Sequence, residues 1–543
     1  CPYLDTIERS FLDFDHEPAC SVSLQGGPHV YGCLVCGKFF RGRGRQTPAY
    51  THSVEESHFV FVHLSKGTFH CLPDDYQIDD PSVSDIRAAL HPTFQKADIE
   101  RLDSNTDLSR DLFGKNYLPG FVGLNNHNKT DCINAVVQAL AHVTPIRNYF
   151  LAQTTMMEDE TLGTKKNHTS IRSAVQVTAA FGELVRKLWS NERFKSTVDP
   201  HILVQAISVA SKKRFRVGVQ AEAGELTAWL LHQLHLGTGG GRKAGSSIVH
   251  KTFQGNIRVT TKEVKKLDTG IQAVEDDDRL GSDDEEEAEK TEKVDEKVMV
   301  EESTKDTNFL QLTLDIPEKP LFRDEAGGLV IPQEPLVNVL KKFDGETFSD
   351  IVARSGTTQR KRYRLLKLSD YLILHLDRFK SNNYNREKNP TIVAFPVKNL
   401  DLHEYVFPDR ERPVFPSEEE VRSMSVKEIK QALKQFGKED ASKGAVEKAE
   451  LVEAAVQLLT KELPDLFADK YDLVANITHE NPAVVGREEK VDPLQEGSYK
   501  CHVHHRATNQ WYEIQDLHVQ EIMPQQIGVS ESYVLIFRRT GLK

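Results

Sequence analysis

The sequence predicts an α+β protein in two parts. A small Cys/His-rich module covers residues 1–80, and a larger mixed domain covers 118–543, after a helical connector at 81–117. Three observations predict this. Five of the seven cysteines (Cys1, Cys20, Cys33, Cys36 and Cys71) fall within the first 71 residues. Strand-like alternation and amphipathic helical spacing both recur beyond residue 118. Two stretches, 268–306 and 416–462, break that pattern in composition and read as insertions.

In the first module the informative spacing is Cys33-x2-Cys36, followed by His52-x5-His58. A Cys-x2-Cys turn points two thiolates at one ion, and two imidazoles complete a closed tetrahedral zinc site. Four protein ligands leave no open position for water, so one structural Zn2+ is expected. The alternative is two unrelated core cysteines beside surface histidines. An odd, clustered cysteine count in a long chain suits metal binding in a reducing compartment better than a disulfide framework. The connector carries helical spacing from Pro92 to Leu108, with Pro92 suited to a first helical turn.

The larger domain opens on the run Gly123–Leu140, with Asp131 and Cys132 near its middle. Gln220–Leu226 precedes an amphipathic helix through Trp229, Leu230 and Leu234. The insertion at 268–306 includes Glu275–Glu289, which holds ten acidic residues and one Arg, and reads as a disordered acidic loop. That stretch supplies most of the net charge of −12, so bulk charge points to neither a nucleic-acid nor a membrane binder. Tyr371–Phe379 alternates as a half-buried strand, and Phe395-Pro396 and Leu400-Asp401-Leu402 follow. The insertion at 416–462 contains two short amphipathic helices, Ser425–Leu433 and Lys448–Val456, around Gly444, and resembles a SAP-type helical module. Its mixed charges favour protein docking or plain bulk over nucleic acid. Tyr471–His479, Gly497-Ser498-Tyr499 and Trp511–Asp516 close the series. Gly237–Ala244 lacks the Gly-Lys-Ser/Thr ending that a phosphate loop requires. Along Cys501–His505, strand alternation splits the ligand-type side chains between two faces. No apolar run is long enough to span a bilayer. The chain begins with Cys1 rather than Met, so a preceding segment is expected.

These blocks carry a resemblance. Cys1-Pro2-Tyr3-Leu4, Tyr31–Cys36 and Gly42-Arg43 resemble the zinc-finger ubiquitin-binding family. Ser23, Arg41, Tyr3 and Asp74 stand where zinc-richer members place further ligands, which leaves one zinc. Arg43 matches the family's Arg for a free ubiquitin tail, without a clear aromatic set beside it. The remaining blocks, in order, resemble the ubiquitin-specific proteases, whose papain-like domain has palm, thumb and fingers. That resemblance implies a nucleophile at the position of Asp131, a general base at Ser498 and its orienting residue at Gln515. All three are replaced, while Asn126 keeps the oxyanion-hole position. A carboxylate is a poor substitute for a thiolate in attack on an amide, and a triad works only when nucleophile, base and orienter are all in reach of one another. Cys132 lies one helical step from the expected nucleophile and is expected to point away. His479 matches a non-catalytic His of its box. The fingers contain no Cys-x2-Cys pair, so hydrophobic packing alone is expected to hold them.

The combination resembles a non-catalytic branch of the family, the Sad-type splicing factors. It implies a nuclear scaffold for spliceosomal tri-snRNP proteins, with small nuclear RNA touched at most indirectly, and no membrane. Two alternatives stay open: a ubiquitin receptor without cleavage, acting through Arg43, and a residual isopeptidase using Cys132.

Overall fold

The computed structural model describes residues 1–153, 169–266, 298–318, 322–323, 329–352, 358–381, 386–406, 415–436, 448–463, 469–481 and 492–542. Most of the acidic insertion, and Gly444 in the second one, lie outside the described residues.

The N-terminal module is a five-stranded antiparallel sheet. Its strands are β1 (Val30–Cys33), β2 (Phe39–Arg41), β3 (Val60–His63), β4 (Phe69–Cys71) and β5 (Tyr76–Ile78), in the order β2-β1-β3-β4-β5. Helix α1 (Pro48–Glu55) starts on a proline at its first turn, where the missing N–H costs no hydrogen bond. The core of the module joins Val30, Val60, Val62 and Phe69 to Val83, Ile86 and Leu90. Helix α2 (Ser84–Leu90), read from sequence as part of the connector, therefore packs into the finger.

The helix expected from Pro92 to Leu108 is shorter than its pattern. α2 stops at Leu90, His91 leaves helical geometry, and Pro92 follows the break. Proline excludes the residue before it from the helical region, so Pro92 closes one helix instead of opening another. Within the segment only α3 (Lys96–Arg101) is α-helical. The module docks on the larger domain through polar pairs. Lys187 Nζ meets Asp15 at 3.1 Å and Glu183 at 3.2 Å, and donates to the Phe14 carbonyl at 2.8 Å. Lys195 meets Asp13 at 2.6 Å.

In the larger domain, the thumb is built from α4 (Asp131–Ala141), α5 (Thr144–Ala152), α6 (Thr169–Trp189), α7 (His201–Ala210), α8 (Ala223–Gly237) and α9 (Ile248–Phe253). Every residue of α4 is buried, as suits the central helix of a domain. The fingers comprise β6 (Gly255–Lys266), β7 (Val298–Phe309), β9 (Asp344–Val352) and β10 (Thr358–Lys367), ordered β7-β6-β10-β9; β8 (Leu312–Asp315) turns back into the palm. The palm adds β11 (Tyr371–Asp377), β12 (Lys470–Glu480), β13 (Ser498–His505), β14 (Gln510–Gln515), β15 (His518–Ile522) and β16 (Ser532–Arg539). Its order is β8-β11-β16-β12-β13-β14-β15, with Leu400–Asp401 also paired to β12. Only β8 and β11 run parallel among these neighbours.

Two expectations about this region are corrected. Residues 298–306, assigned to the disordered insertion, belong to β7 and pair with β6 in an unbroken register. Packing is also not the sole support of the fingers. Ile257 and Leu365 are buried at their base, but further out Arg258 pairs with Asp306 at 2.8 Å and Lys262 with Glu302 at 3.5 Å. A ribbon wet on both sides needs no apolar alternation; cross-strand pairs and the backbone ladder sustain it, and so charge in the sequence reads as loop.

The second insertion has its own small core of Val421, Ile429, Leu433, Leu451 and Leu459. Helices Val426–Gln435 and Lys448–Val456 match the two expected, and Glu418–Ser423 precedes them on a Ser417/Glu420 capping box.

Candidate functional site

Cys33 ends β1, and Cys36 follows in a turn closed by the Gly37 N–H on the Cys33 carbonyl at 3.0 Å. Gly37 sits at φ +72°, and a Cβ there would come within 2.1 Å of the Phe11 carbonyl oxygen, so glycine is required at this turn. His52 comes from α1 and His58 from the approach to β3. Their ligand atoms all lie within 4.8 Å of one another. Cys33 Sγ is 3.6 Å from His58 Nδ1, Cys36 Sγ 3.4 Å from His52 Nε2, and the two imidazole nitrogens are 3.1 Å apart. Tetrahedral zinc, with bonds of about 2.3 Å to sulfur and about 2.0 Å to nitrogen, sets its ligands about 3.3–3.8 Å apart. The donor set and its spacing therefore fit zinc. Phe40 stacks on His52 at 4.2 Å and fixes its ring. Among the described residues no other group of His, Cys, Asp or Glu reaches this arrangement.

The second cluster lies where thumb meets palm. Asp131 is the first residue of α4 and only 4% exposed. Its Oδ2 accepts the Tyr499 backbone N–H at 2.7 Å, and the Gln220 amide donates to both carboxylate oxygens at 3.0 and 2.8 Å. The same Gln220 nitrogen donates to the Gly497 carbonyl at 3.1 Å. Burial lifts the Asp131 carboxyl above its ordinary range; the Tyr499 and Gln220 donors oppose this, and Asp516 adds to it. The approach is bridged as well. Gln495 Oε1 accepts the Gln220 N–H at 3.0 Å, its amide donates back to the Gln220 carbonyl at 3.1 Å, and Lys129 Nζ donates to the Gln495 carbonyl at 2.9 Å. Asn128 and Lys129 both take φ near +59° to make this loop, a conformation asparagine tolerates and lysine adopts at a cost.

Ser498 begins β13 and Gln515 ends β14, and the Gln515 amide donates to Ser498 Oγ at 3.3 Å. Asn126 Nδ2 is held by Asp516 Oδ2 at 2.9 Å, while its Oδ1 accepts from the Thr130 N–H at 3.1 Å. The other Asp516 oxygen accepts from Asn134 at 2.8 Å, and its carbonyl accepts the Leu124 N–H at 2.9 Å. Asp516 thus ties the loop before α4, α4 itself and the end of β14 together. Sequence reading gave Gln220 and Asp516 no role. The signal available was their place inside boxes already singled out, Asp516 being next to Gln515.

The remaining candidates separate. Cys132 is fully buried, and burial, then Asp131 and Glu222, hold its thiol well above the ordinary range, so the thiolate is suppressed. His479 is fully buried against Phe379 and Tyr499, and burial, with Lys388 nearby, lowers it to about 3. It is a neutral packed ring at physiological pH. Arg43 lies in the N-terminal module, where Nη1 meets His70 Nδ1 at 2.8 Å and Asp75 Oδ1 at 3.2 Å. In the Cys501–His505 strand, Cys501 is enclosed in the thumb–palm core and His502 bonds Glu513 at 3.1 Å.

A Cys/His finger ahead of a thumb, palm and fingers, with Asp131 bonded to the Tyr499 N–H and the neighbouring Ser498 to Gln515, defines a deubiquitinase-type scaffold. The chain belongs to the ubiquitin carboxyl-terminal hydrolase family: residues 122–537 match the model "Ubiquitin carboxyl-terminal hydrolase", and 20–83 match "Zn-finger in ubiquitin-hydrolases and other protein". It is 40% identical over 541 residues to "Ubiquitin carboxyl-terminal hydrolase 39" of Homo sapiens, covering 99% of this chain and 80% of that one. It is 35% identical over 543 residues to "Probable mRNA-splicing protein ubp10" of Schizosaccharomyces pombe, covering 99% and 88%. The solved "Crystal structure of an essential yeast splicing factor" shares the fold, with a TM-score of 0.62 at 21% identity over 99% of this chain and 100% of that one.

The raised Asp131 carboxyl has a signed consequence. A native pKa above the unfolded value of about 4 means that the folded state binds the proton more tightly. Its contribution to stability is full below that value and is lost as pH rises through the raised pKa. Asp131→Asn cannot titrate. Urea unfolding midpoints measured from acid to neutral pH are expected to show the wild type losing stability relative to Asp131→Asn as pH rises. A constant difference across that range would refute the shift.

Proposed function

We propose that this chain is a non-catalytic member of its family that serves pre-mRNA splicing in the nucleus. In this reading it is a scaffold that binds spliceosomal tri-snRNP proteins. The observation that carries it is the bonding of Asp131. The side chain at the nucleophile position is spent on the Tyr499 N–H and Gln220, which join thumb to palm. No base faces it in the role of a triad: Ser498 Oγ accepts from Gln515, and the neutral His479 ring is packed in the core. A carboxylate held by donors on both oxygens is a poor nucleophile toward an amide, and an oxyanion donor committed to Asp516 has no charge to stabilise. The similarity to "Probable mRNA-splicing protein ubp10" of Schizosaccharomyces pombe and to "Pre-mRNA-splicing factor SAD1" of Saccharomyces cerevisiae supports the pathway. A broad scaffold freed from turnover is suited to hold a folded partner.

In the same reading Cys33, Cys36, His52 and His58 hold one zinc with a structural role. All four positions are filled by protein, so the ion would tie β1, α1 and the approach to β3 together and activate no water. Arg43 Nη1 is engaged by Asp75 and His70 inside its own module, which competes with capture of a ubiquitin tail at that atom.

Three outcomes are expected. Metal analysis of the purified protein should find one zinc per chain; Cys36→Ser should lose it and lower the unfolding midpoint, and a second equivalent would overturn the count. Asp131→Cys should restore no hydrolysis of a ubiquitin C-terminal amide, because a thiol beside Ser498 and Gln515 has no base; measurable turnover would show that one residue separates this chain from a protease. Affinity purification from nuclear extract should recover tri-snRNP proteins and their small nuclear RNAs. Recovery of ubiquitin conjugates without them would move the reading to a ubiquitin receptor.

A further inference from the structure

A cavity of about 230 Å³ lies at the far end of α4 from Asp131. Asp131 begins that helix and His142 follows its last residue, which sets the two places roughly 16 Å apart at 1.5 Å per residue. The cavity is enclosed by the thumb, by Leu102 and Asp103 after α3, and by palm residues of β11, β12, β13, β14 and β16. It shares no lining residue with the Asp131 cluster.

Its walls carry more positive than negative charge. Arg147, Arg506, Arg538 and Lys398 line it, against Asp103 and Asp472. Asp103 is divided between Arg147 Nη1 at 2.8 Å and Arg506 Nη1 at 2.6 Å. Asp472 accepts the Asn399 N–H at 2.9 Å. What this leaves over is specific. Arg147 is only 2% exposed, with its guanidinium 4.6 Å from the Trp189 ring, and its Nη2 has no hydrogen-bond partner. Arg538 has no partner at Nε or Nη1. Unpaired buried guanidinium N–H groups cost free energy, and an oxyanion is the group that satisfies several at once. His142 adds a different atom. Its Nδ1 bonds the Gln138 carbonyl at 2.7 Å, and its Nε2 is unpartnered. Burial lowers both His142 and His504 to about 4, so at neutral pH neither adds charge and His142 Nε2 is an acceptor.

We propose that this cavity binds a small phosphate ester, with the phosphate on Arg147 and Arg538 and a ligand hydroxyl donating to His142 Nε2. Guanidinium forks match phosphate oxygens, and the lone imidazole acceptor takes a hydroxyl, which the stem of an ester can carry to it while the phosphate stays on the guanidinium groups. The size agrees: a cavity of about 150 Å³ holds a benzene ring, so this one accommodates a phosphate with a short hydroxylated stem. The ligand would clamp α4, α5 and the ends of β13 and β16, and so brace thumb against palm from the side opposite Asp131.

The test is calorimetric titration of the full chain with glycerol phosphate and with inorganic phosphate, at fixed ionic strength held with chloride. Saturable binding at one site is expected. Arg538→Gln should weaken it roughly tenfold or more, the loss expected for charge-assisted hydrogen bonds. Arg101→Gln, on an exposed residue of α3, should leave it unchanged. Lys398→Ala provides a second lining variant should Arg538→Gln fail to fold. Tighter binding of glycerol phosphate than of inorganic phosphate would identify an organic ester, and equal binding the ion alone. Absence of saturable binding, or binding unaltered in the lining variants, would overturn the proposal.

Discussion

Much of the larger domain hangs on one carboxylate. Asp131 opens the buried helix α4 and accepts the Tyr499 N–H of the palm and the Gln220 amide just before α8. A charge this deeply buried is tolerated only when its lone pairs are met, and here three contacts from two directions meet them. Asp131 acts in this protein as a cross-link between thumb and palm. Its position at the first turn of α4 also sets a carboxylate at the positive end of the helix dipole.

Asp516 repeats the theme from the other side of the same loop. Its two oxygens and its carbonyl engage Asn126, Asn134 and Leu124, so the loop before α4 is fastened to the end of β14. Loop, helix and palm are thus tied by two adjacent sets of polar contacts, one at Asp516 and one at Asp131. Such networks favour a single arrangement because a half-made one is costly.

The N-terminal module joins this body by charge and by packing. Asp13 and Asp15 reach Lys195 and Lys187, and Phe194 packs against the finger's core. Within the module, Arg43 pairs with Asp75.

Sequence alone determined the parts that depend on residue type. The Cys33, Cys36, His52 and His58 set was legible because zinc ligation restricts both chemistry and spacing. Asp131, Ser498 and Gln515 were picked out by residue type, because the resemblance implies a thiol, an imidazole and a carboxylate or Asn at those positions. The palm strands were legible as apolar segments, but the half-buried alternation expected at Tyr371–Phe379 is not what the fold shows: β11 and β16 are buried on both faces. Tertiary structure decided what depends on neighbours distant in sequence. Residues 298–306 became a strand because β6 offered a partner, although their charges read as loop. Pro92 ended a helix because α2 had found the finger's core. Gln220 and Asp516 gained roles only when residues far apart in sequence met Asp131 and Asn126. Local pattern records what each segment must bury; which donor satisfies a buried charge is settled only when the elements pack.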